Sequence, residues 1–143
     1  MDITEVLLKD HASMRRQAAE LQSRLGPERE VGWSDQADCD MNSFRFAAKK
    51  LLDELLAHEL REKQGLRQVW ALRGRQPEFE EHLIRSHNSL NSLTGLLRAA
   101  AEYCDGRHVY SVRTVTVRLR EVIEMYFVYE ENSMFPLLHR LSK

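Results

Sequence analysis

The sequence predicts an all-α protein, an antiparallel up-down-up-down four-helix bundle. Apolar residues recur at intervals of three and four along four segments, which is the spacing of one face of an α-helix. Glycine and proline lie between these segments, where helices end. The connections are short to moderate, which favours antiparallel neighbours around one core. No linker or repeat divides the 143 residues, so we expect a single domain over residues 1–143.

The element boundaries follow from local signals. The predicted helices are Ile3 to Leu25, Ser43 to Gly74, Pro77 to Ala101, and Ser111 to Pro136. Gly26-Pro27 stops the first helix, and a long loop without a sustained apolar period follows it. Ser43 is a candidate N-cap, and Gly74 is a natural C-terminal stop. Pro77 suits the first position of a helix, and Asp105-Gly106 closes the third one.

Composition limits the classes of partner. The chain has 21 Lys and Arg against 22 Asp and Glu, and the two signs are interspersed, so we expect neither a nucleic-acid nor a membrane partner. The N-terminus lacks a basic region before an apolar run, and no stretch is apolar enough to span a bilayer, so we expect a cytoplasmic protein. Cys39 and Cys104 are isolated and form no Cys-x-x-Cys pair, which favours idle thiols.

Each predicted helix carries at least one candidate metal ligand in register with its apolar stripe. These are His11 on the first helix, His58 and Glu62 on the second, His87 on the third, and Tyr126 and Glu130 on the fourth. Four residues turn a helix by about 400°, so His58 and Glu62 lie one above the other, as do Tyr126 and Glu130. Each residue alone is compatible with an ordinary polar core position, but their conjunction favours a metal site.

The chemistry of these side chains favours iron or manganese. A carboxylate at an inward position is costly to bury unless it is paired, protonated or bound to a cation. Glu62 and Glu130 face three histidines, and two carboxylates that can each bridge suit a pair of intermediate metals better than calcium or a structural zinc. A metal in a chain of this size is functional more than structural, because the core is large enough without it.

The ordered motifs resemble the hemerythrin-like, or HHE cation-binding, family over nearly the whole chain. The motifs are Lys9-Asp-His11, His58-x-x-x-Glu62, Ser86-His87 and Glu130-Glu131-Asn-Ser-Met-Phe-Pro136. The resemblance implies a four-helix bundle that holds two non-haem iron ions, with manganese as an alternative. It makes His11, His58 and His87 terminal ligands, and it makes Glu62 and Glu130 bridges together with an oxo or hydroxo group.

Two positions depart from that family. Oxygen carriers place a second third-helix histidine where this chain has Leu83, and the family begins its fourth-helix motif with histidine where this chain has Tyr126. Glu59 matches a glutamate that some hemerythrin-like domains use after the second-helix histidine, although it can equally be a solvated residue. His82 is a weaker substitute, because it lies five residues before His87 and is expected to point elsewhere.

Tyr126 has three interpretations. As a phenolate it binds iron directly and favours the ferric state. As a neutral phenol it hydrogen-bonds a bridging oxygen or a carboxylate next to the metal. As a packing residue it leaves one metal ion with fewer ligands or absent. His108 and His139, near predicted helix ends, are expected to be surface residues.

The resulting functional hypothesis is a di-iron protein that binds, senses or reacts with a small oxidant, which is O2, peroxide or NO. Reversible oxygen carriage is disfavoured, because an oxygen-rich ligand set with fewer nitrogen donors stabilises the ferric state. Whether the chain is an enzyme stays open, and the sequence does not predict an oligomeric state. The alternative is a bundle that has lost its metal and serves as an interaction or regulatory module.

Overall fold

The computed structural model describes residues 2–25, 41–102 and 109–141, and the all-α prediction is confirmed over them. The helices are α1 Ile3–Ser23, α2 Met41–Arg73, α3 Pro77–Glu102, α4 Val109–Tyr129 and α5 Phe135–Leu141, with a π-helical turn Glu130–Met134 between α4 and α5. The described residues include no strand, and none of their helices combines the length and apolar character needed to cross a bilayer.

The helix ends agree with the local signals where they can be compared. Asp2 caps α1, because its carboxylate accepts a hydrogen bond from the Thr4 backbone N–H at 3.0 Å. Gly74 follows α2 with a φ of 91°, and Pro77 is the first residue of α3. The predicted starts of the second and fourth helices, at Ser43 and Ser111, are each two residues late, since α2 already includes Met41 and α4 already includes Val109. Most of the predicted first loop and the predictions for Cys39, Cys104, Asp105-Gly106 and His108 lie outside the described residues.

The prediction that Pro136 interrupts the last helix is wrong. Helical backbone continues through a π-helical turn into α5, and the Phe135 N–H reaches the Glu130 carbonyl five residues back. Pro136 has no N–H and cannot complete an ordinary α-helical bond at its own position. Pro136 is the second residue of α5, and the wider π-helical turn before it joins the two helices without a break.

Two apolar clusters flank a polar layer. The first contains Met14 of α1, Leu55 of α2, Leu90 of α3 and Phe127 of α4 among its members. The second contains Leu7, Leu66, Leu83 and Met134 from the same helices or the turn after them. Every candidate histidine and carboxylate of the metal site lies between one member of each cluster along its helix. These intervening residues are His11, His58, Glu59, Glu62, His87 and Glu130, all of them buried.

The helices contact each other in a closed order. α1 packs against α2 and α4, and α3 packs against the same two helices from the other side. α5 packs against α1 and α2 and extends the second apolar cluster through Phe135 and Leu138. Side chains from four helices therefore reach the polar layer between the clusters.

Two glycines provide a matched test of this backbone description. Gly74 has a positive φ that L-residues rarely adopt, so Gly74→Ala is expected to lower the free energy of unfolding by about 1 kcal/mol. Gly95 lies within α3 with open space around it, so Gly95→Ala should raise the same free energy by up to about 1 kcal/mol. Urea unfolding followed by circular dichroism measures both changes, and shifts of equal sign in the two variants would contradict the assigned conformation of Gly74.

Candidate metal centre

Three donor atoms converge in the polar layer. His11 Nε2 lies 3.0 Å from Glu130 Oε1 and 3.2 Å from His58 Nε2. His58 Nε2 lies 3.9 Å from the same Glu130 oxygen. Within the part of the chain that the structure describes, these residues are the one group of three or more possible metal ligands whose donor atoms all lie within 4.8 Å of one another. They come from α1, α2 and the start of the π-helical turn, so the fold brings together three of the predicted ligands.

The outer nitrogen of His11 contacts a second carboxylate. His11 Nδ1 lies 3.3 Å from Glu131 Oε2, and Arg15 holds Glu131 with an N–O separation of 2.6 Å. Arg15 also donates to Glu124 on α4. Burial opposes ionisation of Glu131, but hydrogen bonds from Arg15 and His11 lower its pKa. An ionised Glu131 can only accept, so it favours the tautomer of His11 that carries its proton on Nδ1.

His58 has the same arrangement on the opposite side. Its Nδ1 lies 3.0 Å from Asp10 Oδ2, and Arg61 donates two hydrogen bonds to that carboxylate. Burial opposes ionisation of Asp10, yet the hydrogen bonds from His58 and Arg61 keep its pKa low. Both histidines are thus oriented by an arginine-supported carboxylate, which is the outer-layer pattern of metal-binding histidines.

These two contacts leave the inner nitrogens of His11 and His58 as hydrogen-bond acceptors that face each other and Glu130. With their protons on Nδ1, both histidines direct an unprotonated Nε2 toward the Glu130 carboxylate, and two lone pairs face each other across 3.2 Å. Such an arrangement requires a positive charge between the donors, supplied either by protons or by a metal cation. Burial opposes a charged His58, but Asp10, Glu130 and Glu62 more than offset this, so its pKa lies well above the usual value.

Glu130 has the matching electrostatics. It is 2% exposed, and burial alone would favour its neutral form, but the neighbouring imidazoles of His11, His58 and His82 bring its pKa far below the usual range. Glu130 is therefore an anion in a place that excludes water, and the imidazoles around it supply the compensation.

Glu62 and His87 extend the group toward α3. Glu62 Oε1 lies 2.9 Å from His58 Nε2 and 3.7 Å from His87 Nε2. The second Glu62 oxygen and both His87 nitrogens are buried without a hydrogen-bond partner in the structure. Buried polar atoms without partners are uncommon in proteins, and each one indicates a water, an ion or a functional role at that position. The unpartnered atoms are of the types that divalent metals bind.

Aromatic packing fixes the His11 ring. Phe127 stacks on it with ring centroids 3.7 Å apart and an interplanar angle of 1°, and Phe135 contacts it from the end of the π-helical turn with centroids 4.9 Å apart. Phe127 is itself buried in the first apolar cluster. The ring plane is thereby set by packing as well as by hydrogen bonds, which a preorganised ligand requires.

The π-helical turn begins at the central carboxylate. Glu130 and Glu131 are consecutive, and they contact opposite nitrogens of the same His11 ring. In a regular α-helix adjacent side chains differ in direction by about 100°. π-helical turns are frequent at functional sites, and here the turn begins at the motif that starts with Glu130-Glu131.

Glu59 and Tyr126 belong neither to the three-donor group nor to its extension through Glu62 and His87. Glu59 is buried, and it lines a cavity of about 370 Å³ between α2 and α3 together with Leu55 and Leu90. Burial raises the pKa of Glu59, although the charge of His87 opposes this. Tyr126 is half-buried, and its hydroxyl donates a hydrogen bond to Ser89 Oγ at 2.9 Å. The observed partner of Tyr126 is thus a hydroxyl group of α3.

The expectation that His82 points away from the site is wrong. Its Nε2 lies 2.9 Å from Glu130 Oε2, on the carboxylate oxygen that His11 does not contact. Its ring packs against Tyr129, with centroids 4.4 Å apart. Five residues along a helix turn the direction by about 140° after one full turn, and α3 lies between two neighbours. His87 therefore faces α2 while His82 faces α4, and a single sequence cannot show that both neighbours carry a carboxylate there.

Other residues were placed as expected. Leu83 is buried in the second apolar cluster and contributes packing where a carrier would have a ligand. His139 contacts Asp2 near the surface, away from the three-donor group. Asp10 was not among the predicted site residues, although it orients His58. Its position next to His11 was the available signal, because adjacent residues of a helix point about 100° apart and can face different neighbouring helices.

The donors fit a metal ion by type and by spacing. Adjacent donors of an octahedral ion with bond lengths of about 2.1 Å lie about 3 Å apart. The distances from His11 Nε2 to Glu130 Oε1 and to His58 Nε2 are 3.0 and 3.2 Å, and His58 Nε2 lies 3.9 Å from the same Glu130 oxygen. Mixed imidazole and carboxylate donors suit iron or manganese.

Comparisons of this chain with protein-family models, with curated proteins and with solved structures gave no match. The hemerythrin-like family is therefore not identified by similarity.

Proposed function

We propose that this chain is an antiparallel up-down-up-down four-helix bundle of the hemerythrin-like type, that it holds two non-haem iron ions, and that it binds, senses or reacts with a small oxidant. The observation that carries the proposal is the convergence of His11 Nε2, His58 Nε2 and Glu130 Oε1, with both outer nitrogens engaged by carboxylates. Two imidazole lone pairs and an anion directed at one point are the donor set of a cation.

The remaining donors support a second ion of the same centre. Glu62 Oε1 lies near His58, while its other oxygen and both His87 nitrogens have no partner. Glu130 and Glu62 each have two oxygens for two cations, so they can act as bridges. Arg61 and Arg15 compensate the charges of Asp10 and Glu131, so it is the two bridging carboxylates that favour cation binding. When bound, iron supplies the redox chemistry and an open coordination position for O2, peroxide or NO.

Other side chains of this protein limit the access of water to such a centre and set the protonation of its histidine ligands. Phe127 and Phe135 pack against the His11 ring, which excludes bulk water from the His11 side of the site. Asp10 and Glu131 hold the imidazoles in the tautomer that directs Nε2 inward. A ligand set with two carboxylates and few nitrogens stabilises ferric iron, which favours reaction with an oxidant over reversible oxygen carriage. A cytoplasmic location stays a prediction from the sequence.

The first test is metal content and oxidant consumption in one set of variants. Protein purified from iron-replete cells is expected to contain about two iron ions per chain and to consume peroxide, because two bridging carboxylates serve a two-metal site. Glu130→Ala should lose most of the iron and the peroxide consumption together, as should His11→Ala, whereas His139→Ala should retain both. Elemental analysis and a peroxide electrode give the two readouts.

Each outcome of that test has a distinct meaning. Fewer than about one iron per chain in the unaltered protein would favour the alternative of a metal-free interaction module over a metal centre. Peroxide consumption that survives Glu130→Ala, with the iron lost, would show that the reaction occurs elsewhere. Far-ultraviolet circular dichroism of each variant verifies that the helices remain.

A second test addresses the orienting carboxylate of His58. Asp10→Asn keeps the size of the side chain but removes its charge, so metal affinity is expected to fall by about 10–100-fold. Asp53→Asn, an exposed change on the same helix as His58, is the matched control and should leave the affinity unchanged. Competition with a chelator of known affinity measures both, and equal affinities in the two variants would exclude a role for Asp10 in metal binding.

A third test addresses Tyr126. Because its hydroxyl is donated to Ser89, we expect the visible spectrum of the ferric protein to be the same in Tyr126→Phe as in the unaltered chain. A tyrosinate bound to Fe(III) would instead give a charge-transfer band that disappears in this variant. Loss of such a band in Tyr126→Phe would restore the interpretation of Tyr126 as a direct ligand.

A further inference from the structure

His82 connects the central carboxylate with an open groove. Its side chain is 10% exposed, and its Nε2 lies 2.9 Å from Glu130 Oε2. The groove, about 600 Å³ in volume, lies between α3 and α4 and is lined by His82, Arg85, Tyr126 and Tyr129 among others. His82 is thus a nitrogen donor that approaches Glu130 from the side of this groove.

We propose that His82 is a ligand of the second metal ion, and that it supplies from α3 the nitrogen that Tyr126 does not supply from α4. The inference rests on the proposed metal centre and adds a residue to it. It also changes the direction from which the second ion is held, because the nitrogen comes from the groove side of the site.

The two oxygens of the Glu130 carboxylate face different histidines. Oε1 faces His11 and, at longer range, His58, whereas Oε2 faces His82. A carboxylate whose two oxygens have separate nitrogen neighbours is arranged to bridge two cations, one on each oxygen. The separation of 2.9 Å between His82 Nε2 and Oε2 matches the spacing of about 3 Å between adjacent donors of one octahedral ion.

Some buried donor atoms of α2 and α3 have no hydrogen-bond partner in the structure. Glu62 Oε2 and His87 Nε2 are buried and unsatisfied, and they belong to the residues that the first ion does not require. They are donors that remain for a second ion, on α2 and α3. Both His82 and His87 lie on α3, and the 140° between their directions lets one helix serve both neighbouring carboxylates.

Two tyrosines contact the His82 ring. Tyr129 packs against it at 4.4 Å between centroids, and Tyr126 contacts it edge-on at 5.7 Å. Tyr126 is in turn fixed by its hydrogen bond to Ser89. The aromatic residue at the position of the missing histidine therefore supports the histidine that replaces it.

The experiment is a Co(II) titration of metal-free protein, followed by visible absorption and by counting bound ions. The unaltered chain should bind about two ions, because the bridging carboxylates serve two cations. His82→Gln retains a side chain that donates a hydrogen bond to Glu130 but is a poor ligand, so its second ion should bind at least about tenfold more weakly while the first is unchanged. His139→Gln is the matched control and should bind both ions as the unaltered chain does.

A rescue measurement separates ligation from a structural role. His82→Ala opens space toward the groove, and added 1-methylimidazole should restore the second Co(II) ion and its absorption spectrum in this variant. This molecule can bind a metal but has no N–H, so it has no such effect if His82 only positions Glu130 through a hydrogen bond. Failure of rescue, or two ions bound by His82→Gln with unchanged affinity and spectrum, would overturn the proposal.

Metal binding and the role of His82 give different results in this titration. An unaltered chain that binds no Co(II) overturns the metal centre and this inference with it. An unaltered chain that binds one ion, unaffected by His82→Gln, leaves metal binding at His11, His58 and Glu130 intact and overturns the role of His82 alone.

Discussion

The structure depends on one buried anion. Glu130 lies where almost no water reaches it, and an ionised carboxylate in that position is stable only when positive charge or hydrogen-bond donors surround it. His11 and His82 contact its two oxygens, and His58 lies close to one of them. Because these imidazoles come from three helices, the compensation of a single charge requires α1, α2 and α3 to meet at the end of α4.

The surrounding apolar clusters turn this requirement into a defined site. The polar layer lies between them, so that each ligand-bearing segment is held by buried side chains on both sides along its helix. Phe127 stacks on His11, and the π-helical turn that begins at Glu130 continues into α5 despite Pro136. Arg15 and Arg61 then fix the outer carboxylates from the more exposed rim. Packing and electrostatics thus constrain the same few imidazole rings, which is the preorganisation that a metal centre needs.

Local signals in the sequence were sufficient for the helices and for the residues that lie in register with their apolar faces. His11, His58, Glu62, His87 and Glu130 were all predicted to face inward, and all of them are buried. The errors concern relations between helices. His82 was assigned a direction relative to His87 alone, although α3 has a neighbour on each side. The three interpretations of Tyr126 did not include a hydrogen bond to Ser89 on α3.

The sequence by itself determined the all-α class, most helix boundaries and the identity of the inward polar residues, because helical periodicity relates residues of one segment without reference to any other. Only the tertiary structure decided which donor atoms meet. The pairing of Asp10 with His58, of Glu131 with His11 and of His82 with Glu130 depends on the rotation of each helix about its axis and on its height against its neighbours. Those quantities follow from packing across the whole core, and no spacing within one helix contains them.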